Sequence, residues 1–149
     1  RLRGLVEDGC IAEANKLLGY EYFAEGSVIE GRRLGRTLGF PTLNIPWAPE
    51  LKPRYGVYAV RLFAGENERG LPGVANYGVR PTVSAESDAE PLLEVHVLDA
   101  GAQELPGPGE AVRVAWHDFV REERKFDGPE ALKAQIARDV ETARAVFYK

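Results

Sequence analysis

The chain has 149 residues, 44% of them hydrophobic and 28% charged, with a net charge of −4. That balance describes one globular, soluble domain with a real core, and no apolar run approaches the ~20 residues a helical membrane span needs. The acidic excess argues against a general nucleic-acid binder, which needs a basic surface.

The one cysteine, Cys10, has no partner in the chain for a disulfide, so a reducing cytoplasm is the expected setting. No secretory pattern opens the sequence. The chain lacks methionine and begins with Arg1, which reads as a piece of a longer polypeptide, with a trimmed start as the alternative.

Residues 1–19 read as helical. Leu2, Leu5 and Val6 make one short apolar stripe and Ile11, Ala14, Leu17 and Leu18 another, with Gly9 between them. Gly19 stands where a helix C-terminal glycine belongs. From Tyr22 to Phe119 the pattern changes to short runs rich in Val, Tyr, Phe, Leu and Trp, bounded by Gly or Pro: "YFAEGSVIEG", "YGVYAVRLF", "GLPGVANYG", "LLEVHVLDA" and "VRVAWHDFV". In the fourth run, alternation turns Leu93, Val95 and Val97 one way and Glu94, His96 and Leu98 the other. Such strands with no helix between them predict an antiparallel barrel or sandwich. The last segment predicts a helix, with Leu132, Ile136, Val140, Ala143 and Phe147 in one stripe and Pro129 at its first position. That stripe is expected to lie against the barrel.

Four stretches carry side chains suited to chemistry. In "GRRLGRTLGFPTLN", Gly31, Gly35 and Gly39 recur every fourth residue with Arg32, Arg33 and Arg36 between them. Glycines let backbone N–H groups approach a polyphosphate and arginines neutralise it, but the same spacing suits a solvated basic hairpin loop. In "PTLN", Thr42 and Asn44 are two apart and share a face of an extended segment, while Leu43 turns inward. A hydroxyl and an amide oxygen are hard neutral ligands that a nucleotide-bound Mg²⁺ accepts, and equally they satisfy backbone groups at a strand start.

Glu94 is a lone carboxylate in an apolar strand. Either it pairs with an arginine, or it faces a cleft as a general base, or it simply points outward. His96 shares its face and is a rival base. In "FVREERKF", Arg121, Arg124 and Lys125 mix with Phe119 and Phe126. Guanidinium and aromatic planes together hold a planar ring with an anionic tail, or the stretch is a charged approach to the final helix. No Cys/His cluster has metal-site spacing and no Ser-His-Asp arrangement is evident.

The order "GRTLGFPTLN", "GVYAV", "GVANYGVRPT", "LEVHVLD", "FVREERKF" and the final helix resembles riboflavin kinase, in particular the flavokinase module of bacterial bifunctional FAD synthetases. The likeness runs from about residue 21 to 147. It implies a mainly β fold: a six-stranded antiparallel Greek-key-like barrel with a C-terminal helix, preceded by a short helical preface. It divides the chain into residues 1–20, the tail of an adenylyltransferase module, and residues 21–149, the kinase domain. The adenylyltransferase motifs are absent, so FAD synthesis is not expected of this chain.

The reaction implied is ATP plus riboflavin giving FMN and ADP, with Mg²⁺. By resemblance Glu94 is the catalytic base. Gly31, Gly35, Arg36, Gly39, Thr42 and Asn44 bind ATP, Thr42 and Asn44 also hold the metal, and Val97 and Asp99 fall near the nucleotide. Arg121, Arg124 and Phe126 fall on the flavin side. Leu43 replaces the family's usual alanine on the face away from the metal, so repacking is expected there rather than loss of Mg²⁺. The turn "QELPGPGE" departs from the family pattern, and no adenine contact carries over to it. Two rivals of other classes are a non-catalytic flavin- or nucleotide-binding barrel and a protein- or RNA-docking barrel. The acidic composition counts against RNA.

Overall fold

The computed structural model describes residues 2–29, 42–47, 49, 52–65, 70–79, 91–98, 106–123 and 128–147. Two short helices, α1 (Leu2–Glu7) and α2 (Ile11–Leu18), open the chain. Six strands follow: β1 (Phe23–Ser27), β2 (Thr42–Pro46), β3 (Gly56–Ala64), β4 (Leu71–Val79), β5 (Pro91–Val97) and β6 (Ala111–Glu122). The helix α3 (Pro129–Phe147) closes the described chain.

The break between α1 and α2 falls at Gly9 (φ 81°), and Gly19 ends α2 in the left-handed region, its N–H donating to the Asn15 carbonyl. The expected stripes are partly realised. Val6, Ile11 and Ala14 are buried, whereas Leu17 is half exposed. Ile11 joins the same core as the barrel strands, and the Asn15 carboxamide donates to the Trp116 carbonyl at 2.8 Å while accepting from the Tyr22 N–H at 2.7 Å. The preface is therefore packed into the barrel.

All strand pairs are antiparallel, in the order β1-β6-β3-β4-β5-β2. An isolated bridge between Ile29 and Asn44 joins the two ends of that order, so the sheet is a nearly closed six-stranded barrel. The alternation read from the sequence sets its walls. Leu43, Ile45, Tyr58, Val60, Leu62, Ala75, Tyr77, Leu93, Val95, Val97, Val112, Val114 and Trp116 fill the interior. The outward Val57, Ala59, Val74 and Leu98 meet Ile136, Val140 and Ala143 of α3, with Leu132 and Phe147 partly buried beside them. The predicted helix stripe thus lies on the barrel as expected.

β6 departs from simple alternation. Val57 pairs with Arg121 but Tyr58 with Phe119, and Ala59 pairs with Asp118 but Val60 with Trp116. Val120 and His117 are each an extra residue, the mark of two β-bulges. Strict alternation from Trp116 would send Asp118 inward. The bulges instead turn Asp118 out and bring Phe119 against Tyr58, ring centroids 5.2 Å apart. At the same crossing Gly56 is obligatory, since an added Cβ would stand 2.6 Å from the Arg121 carbonyl.

Inside, Trp116 is ringed by Tyr58, Trp47, Tyr22 and Tyr77, at centroid distances of 4.6, 5.4, 5.6 and 5.6 Å. The Tyr58 hydroxyl donates to the Arg54 carbonyl and the Tyr77 hydroxyl to that of Trp47. Burial pushes the Tyr22 phenol up to about 12 and raises those of Tyr58 and Tyr77 as well. A phenol that holds its proton longer in the fold than in the unfolded chain stabilises the fold fully below the unfolded value of about 10 and loses that contribution as pH climbs past it. The urea midpoint is expected to be insensitive to these groups up to about pH 10 and to fall between about pH 10 and 12. The share of tyrosinate absorbance that comes from these three of the six tyrosines should appear together with unfolding. Release of these protons from a still-folded chain near pH 10 would contradict this.

Candidate active site

The site is built by strand register. β2 lies on β5 with Thr42 opposite His96 and Asn44 opposite Glu94. β4 lies on the other side of β5 with Asn76 opposite Glu94 and Val74 opposite His96. Directly opposed residues of an antiparallel pair share a face, and here it is the outer face, because their neighbours Leu43, Val95 and Ala75 point into the core. Continuing the register, Asn76 opposes Val57 of β3, and Val57 opposes Arg121 of β6. Asn44, Glu94, Asn76, Val57 and Arg121 thus form one row across five strands. At roughly 4.8 Å per strand, Glu94 stands about 5 Å from the Asn44 and Asn76 positions and about 14 Å from that of Arg121.

Asn44 is 5% exposed, a polar side chain buried in the wall. Its carbonyl also accepts from the Ile29 N–H at 2.8 Å, so the residue sits at the seam where the barrel closes. The Glu94 side chain is 26% exposed, open enough to meet a ligand. Its Oε1 lies 3.2 Å from Nε2 of His96, whose side chain is 6% exposed. This contact answers the question of an isolated carboxylate in an apolar strand: a buried imidazole holds it and restrains its rotamer. His96, a rival base from sequence alone, is Glu94's partner.

Arg121 is held elsewhere. Its Nε donates to Asp139 Oδ1 at 2.9 Å and its Nη2 to Oδ2 at 2.9 Å, tying β6 to the middle of α3. Asp139 accepts further from Gln135 Nε2 at 3.0 Å, and Arg138 Nη2 donates to Gln135 Oε1 at 2.9 Å. This paired, hydrogen-bonded arrangement is what a buried ion pair needs to repay its desolvation.

Of the residues singled out from the sequence, Asn44 and Glu94 are brought into register, with Thr42 two residues further along opposite His96. Val97 is buried in the barrel wall opposite Gly73. Gly31, Gly35, Arg36, Gly39, Asp99, Arg124 and Phe126 lie outside the described residues. Sequence reasoning passed over Asn76 and Asp139. Each carried a signal of the kind that marked Asn44, a polar residue inside an apolar pattern: Asn76 within "GVANYG", Asp139 between Ile136 and Val140 on the buried helix stripe.

The Flavokinase family model, described as riboflavin kinase, matches residues 18–147. The bifunctional riboflavin kinase/FMN adenylyltransferase of Escherichia coli (strain K12) is 44% identical over 146 residues, covering 98% of this chain and 44% of that protein. The chain therefore spans less than half the length of that curated relative. A crystal structure of a protein named macrolide-efflux protein, from Streptococcus pneumoniae, superposes with a TM-score of 0.81 at 33% identity, covering 97% of this chain and 45% of that one. Its name does not carry to this chain, which matches under half of it. The riboflavin kinase of Trypanosoma brucei shares the fold, with a TM-score of 0.56 at 22% identity over 85% of this chain and 80% of that one.

Proposed function

The chain belongs to the riboflavin kinase family, and on that footing we propose that it transfers the γ-phosphate of ATP to the terminal 5′-hydroxyl of riboflavin, giving FMN and ADP. The observation that carries the reaction centre is the register of β2 on β5, which sets Asn44 directly opposite Glu94 on the outer wall. A neutral oxygen ligand for the nucleotide end and a carboxylate for the alcohol are thereby one strand apart.

The Glu94 carboxylate takes the proton of the 5′-hydroxyl while that oxygen forms its bond to the γ-phosphorus. The bond from the γ-phosphorus to the β,γ-bridging oxygen breaks, and ADP leaves with that electron pair. His96 keeps the carboxylate oriented during the transfer. Phosphoryl transfer rests on positioning and charge neutralisation rather than on covalent help from the protein. Arg36 and the backbone of Gly31, Gly35 and Gly39 are assigned to the ATP phosphates and Asp99 to the nucleotide's neighbourhood, where Val97, its side chain in the barrel interior, contributes backbone only. Arg124 and Phe126 are assigned to the flavin, and Arg121 to the same side. With its guanidinium engaged by Asp139, Arg121 fixes the strand end from which residues 124–127 lead into α3.

The donor set fits Mg²⁺. Asn44 is a buried carboxamide and Thr42 is its strand-mate, both of the neutral oxygen type, and Mg²⁺ that already carries phosphates takes few protein ligands. When bound there, the ion would offset charge on the transferring phosphate. Asn44→Ala is expected to raise the KM for Mg-ATP by roughly tenfold, in the range of one lost polar contact, with the riboflavin KM changed less than twofold. Equal losses for both substrates would argue against a metal role.

Incubation with riboflavin and Mg-ATP, with FMN read by chromatography, tests the whole proposal. FMN should accumulate with ADP in equal amounts. Tight flavin binding without ATP consumption would favour a flavin-retaining module instead. The reading extends to a cytoplasmic setting and to residues 1–20 as the tail of an adenylyltransferase module, the second activity in the name of the curated relative.

A further inference from the structure

Asn76 is the polar residue of the site row that the proposed mechanism leaves unused. Its Oδ1 is buried and has no hydrogen-bond partner among the described residues. A buried acceptor without a donor is costly, and native structures keep few of them. Nothing in the strand requires one: an outward position between Ala75 and Tyr77 suits valine or threonine, as Val74 shows one turn of the alternation earlier.

Its position says which end of the substrate it meets. Asn76 flanks Glu94 on the β4 side and Asn44 flanks it on the β2 side. If phosphate lies toward Asn44 and the terminal hydroxyl at Glu94, the carbon chain bearing that hydroxyl leaves on the opposite side. It then passes Asn76, one strand spacing away, at the edge of the outer face that α3 covers from Val57 onward. The geometry points to Asn76 as a specificity-determining residue for the polyol chain: its Oδ1 accepts a hydrogen bond from a secondary hydroxyl of the ribityl group, setting the terminal hydroxyl against Glu94. A site that expects a hydroxyl leaves its own acceptor unpaired when an analogue lacks one, and discriminates against that analogue.

This inference rests on the kinase reading, and one experiment separates their failures. Turnover is compared for riboflavin and for a flavin whose N10 substituent is 5-hydroxypentyl, with the terminal alcohol kept and the secondary hydroxyls absent. Flavin affinity is read in parallel by fluorescence quenching. The unaltered chain should prefer riboflavin in kcat/KM by roughly tenfold or more. Asn76→Ala should lose about tenfold on riboflavin and almost nothing on the hydroxypentyl flavin, so that the preference collapses. Its KM for ATP should stay within about twofold. Its melting temperature should be unchanged or higher, because the oxygen removed has no hydrogen-bond partner among the described residues. Asn76→Thr keeps an acceptor oxygen on a side chain that strands favour, and should retain part of the preference even if the alanine variant folds poorly. Equal losses on both flavins, or no preference in the unaltered chain, overturn the role of Asn76 while the kinase reading stands. An unaltered chain that phosphorylates neither flavin overturns both.

Discussion

Glu94→Gln is expected to lower FMN formation by roughly 10²- to 10⁴-fold, the range that a positioned general base supplies, while both substrates still bind within a few-fold of their original affinity. Glutamine keeps the size and planarity of the side chain and still offers an oxygen to His96 at the 3.2 Å contact. It loses the negative charge and the capacity to accept the hydroxyl proton. The loss should therefore fall on kcat, with little change in KM. Because Glu94 is partly exposed and lies on the outer face, the melting temperature should move little. Single-turnover FMN formation and flavin fluorescence quenching, measured on the same samples, separate chemistry from binding. Full turnover by the glutamine variant would remove Glu94 from the role and turn attention to His96.

Asp139→Ala carries the largest expected cost in stability. The Arg121 side chain is 15% exposed and that of Asp139 4%, so removing the carboxylate takes the counter-charge from a guanidinium in a poorly hydrated site, where the Glu122 carbonyl still accepts from its Nη1. Breaking a buried pair from one side typically costs about 3–5 kcal/mol. Gln135, which donates to Asp139 Oδ1, loses an acceptor in the same change. The urea midpoint should drop accordingly, and α3 should lose amide protection before the barrel strands do. The double variant Arg121→Met with Asp139→Leu should recover most of the loss, since an apolar pair of similar volume replaces a buried ion pair at little cost. A denaturation midpoint within error of the original for Asp139→Ala would show that the pair contributes nothing. Riboflavin affinity should weaken along with the docking of α3, because the connection between β6 and α3 carries the residues assigned to the flavin.

The two expectations rest on different kinds of information. The face on which Glu94 lies was legible in "LLEVHVLDA", because strand alternation is a local rule and Leu93, Val95 and Val97 claim the interior. The same holds for α3, where helical spacing alone marks Ile136, Val140 and Ala143 as the buried stripe. The Arg121–Asp139 pair was not legible. It joins residues 18 apart across a strand and a helix, and no periodicity ties the two. The faces of Asp118 and Phe119 were not legible either, since the two bulges of β6 arise from how β3 meets it and not from β6 alone. The likeness to riboflavin kinase had marked Asn44 and Glu94 but not Asn76, whose interest comes from a buried oxygen with no hydrogen-bond partner among the described residues, a feature visible only in the tertiary structure.

By itself, then, the amino-acid order determined the antiparallel β class, the inward and outward faces of β5, the amphipathic stripe of α3 and the kinase motifs. Each is written in residues close together along the chain. The tertiary structure decided that Asn44, Glu94 and Asn76 stand side by side on three strands, that His96 holds Glu94, and that Arg121 serves Asp139. Those neighbours are set by long-range register, and register follows from how every strand of the barrel fills one shared core.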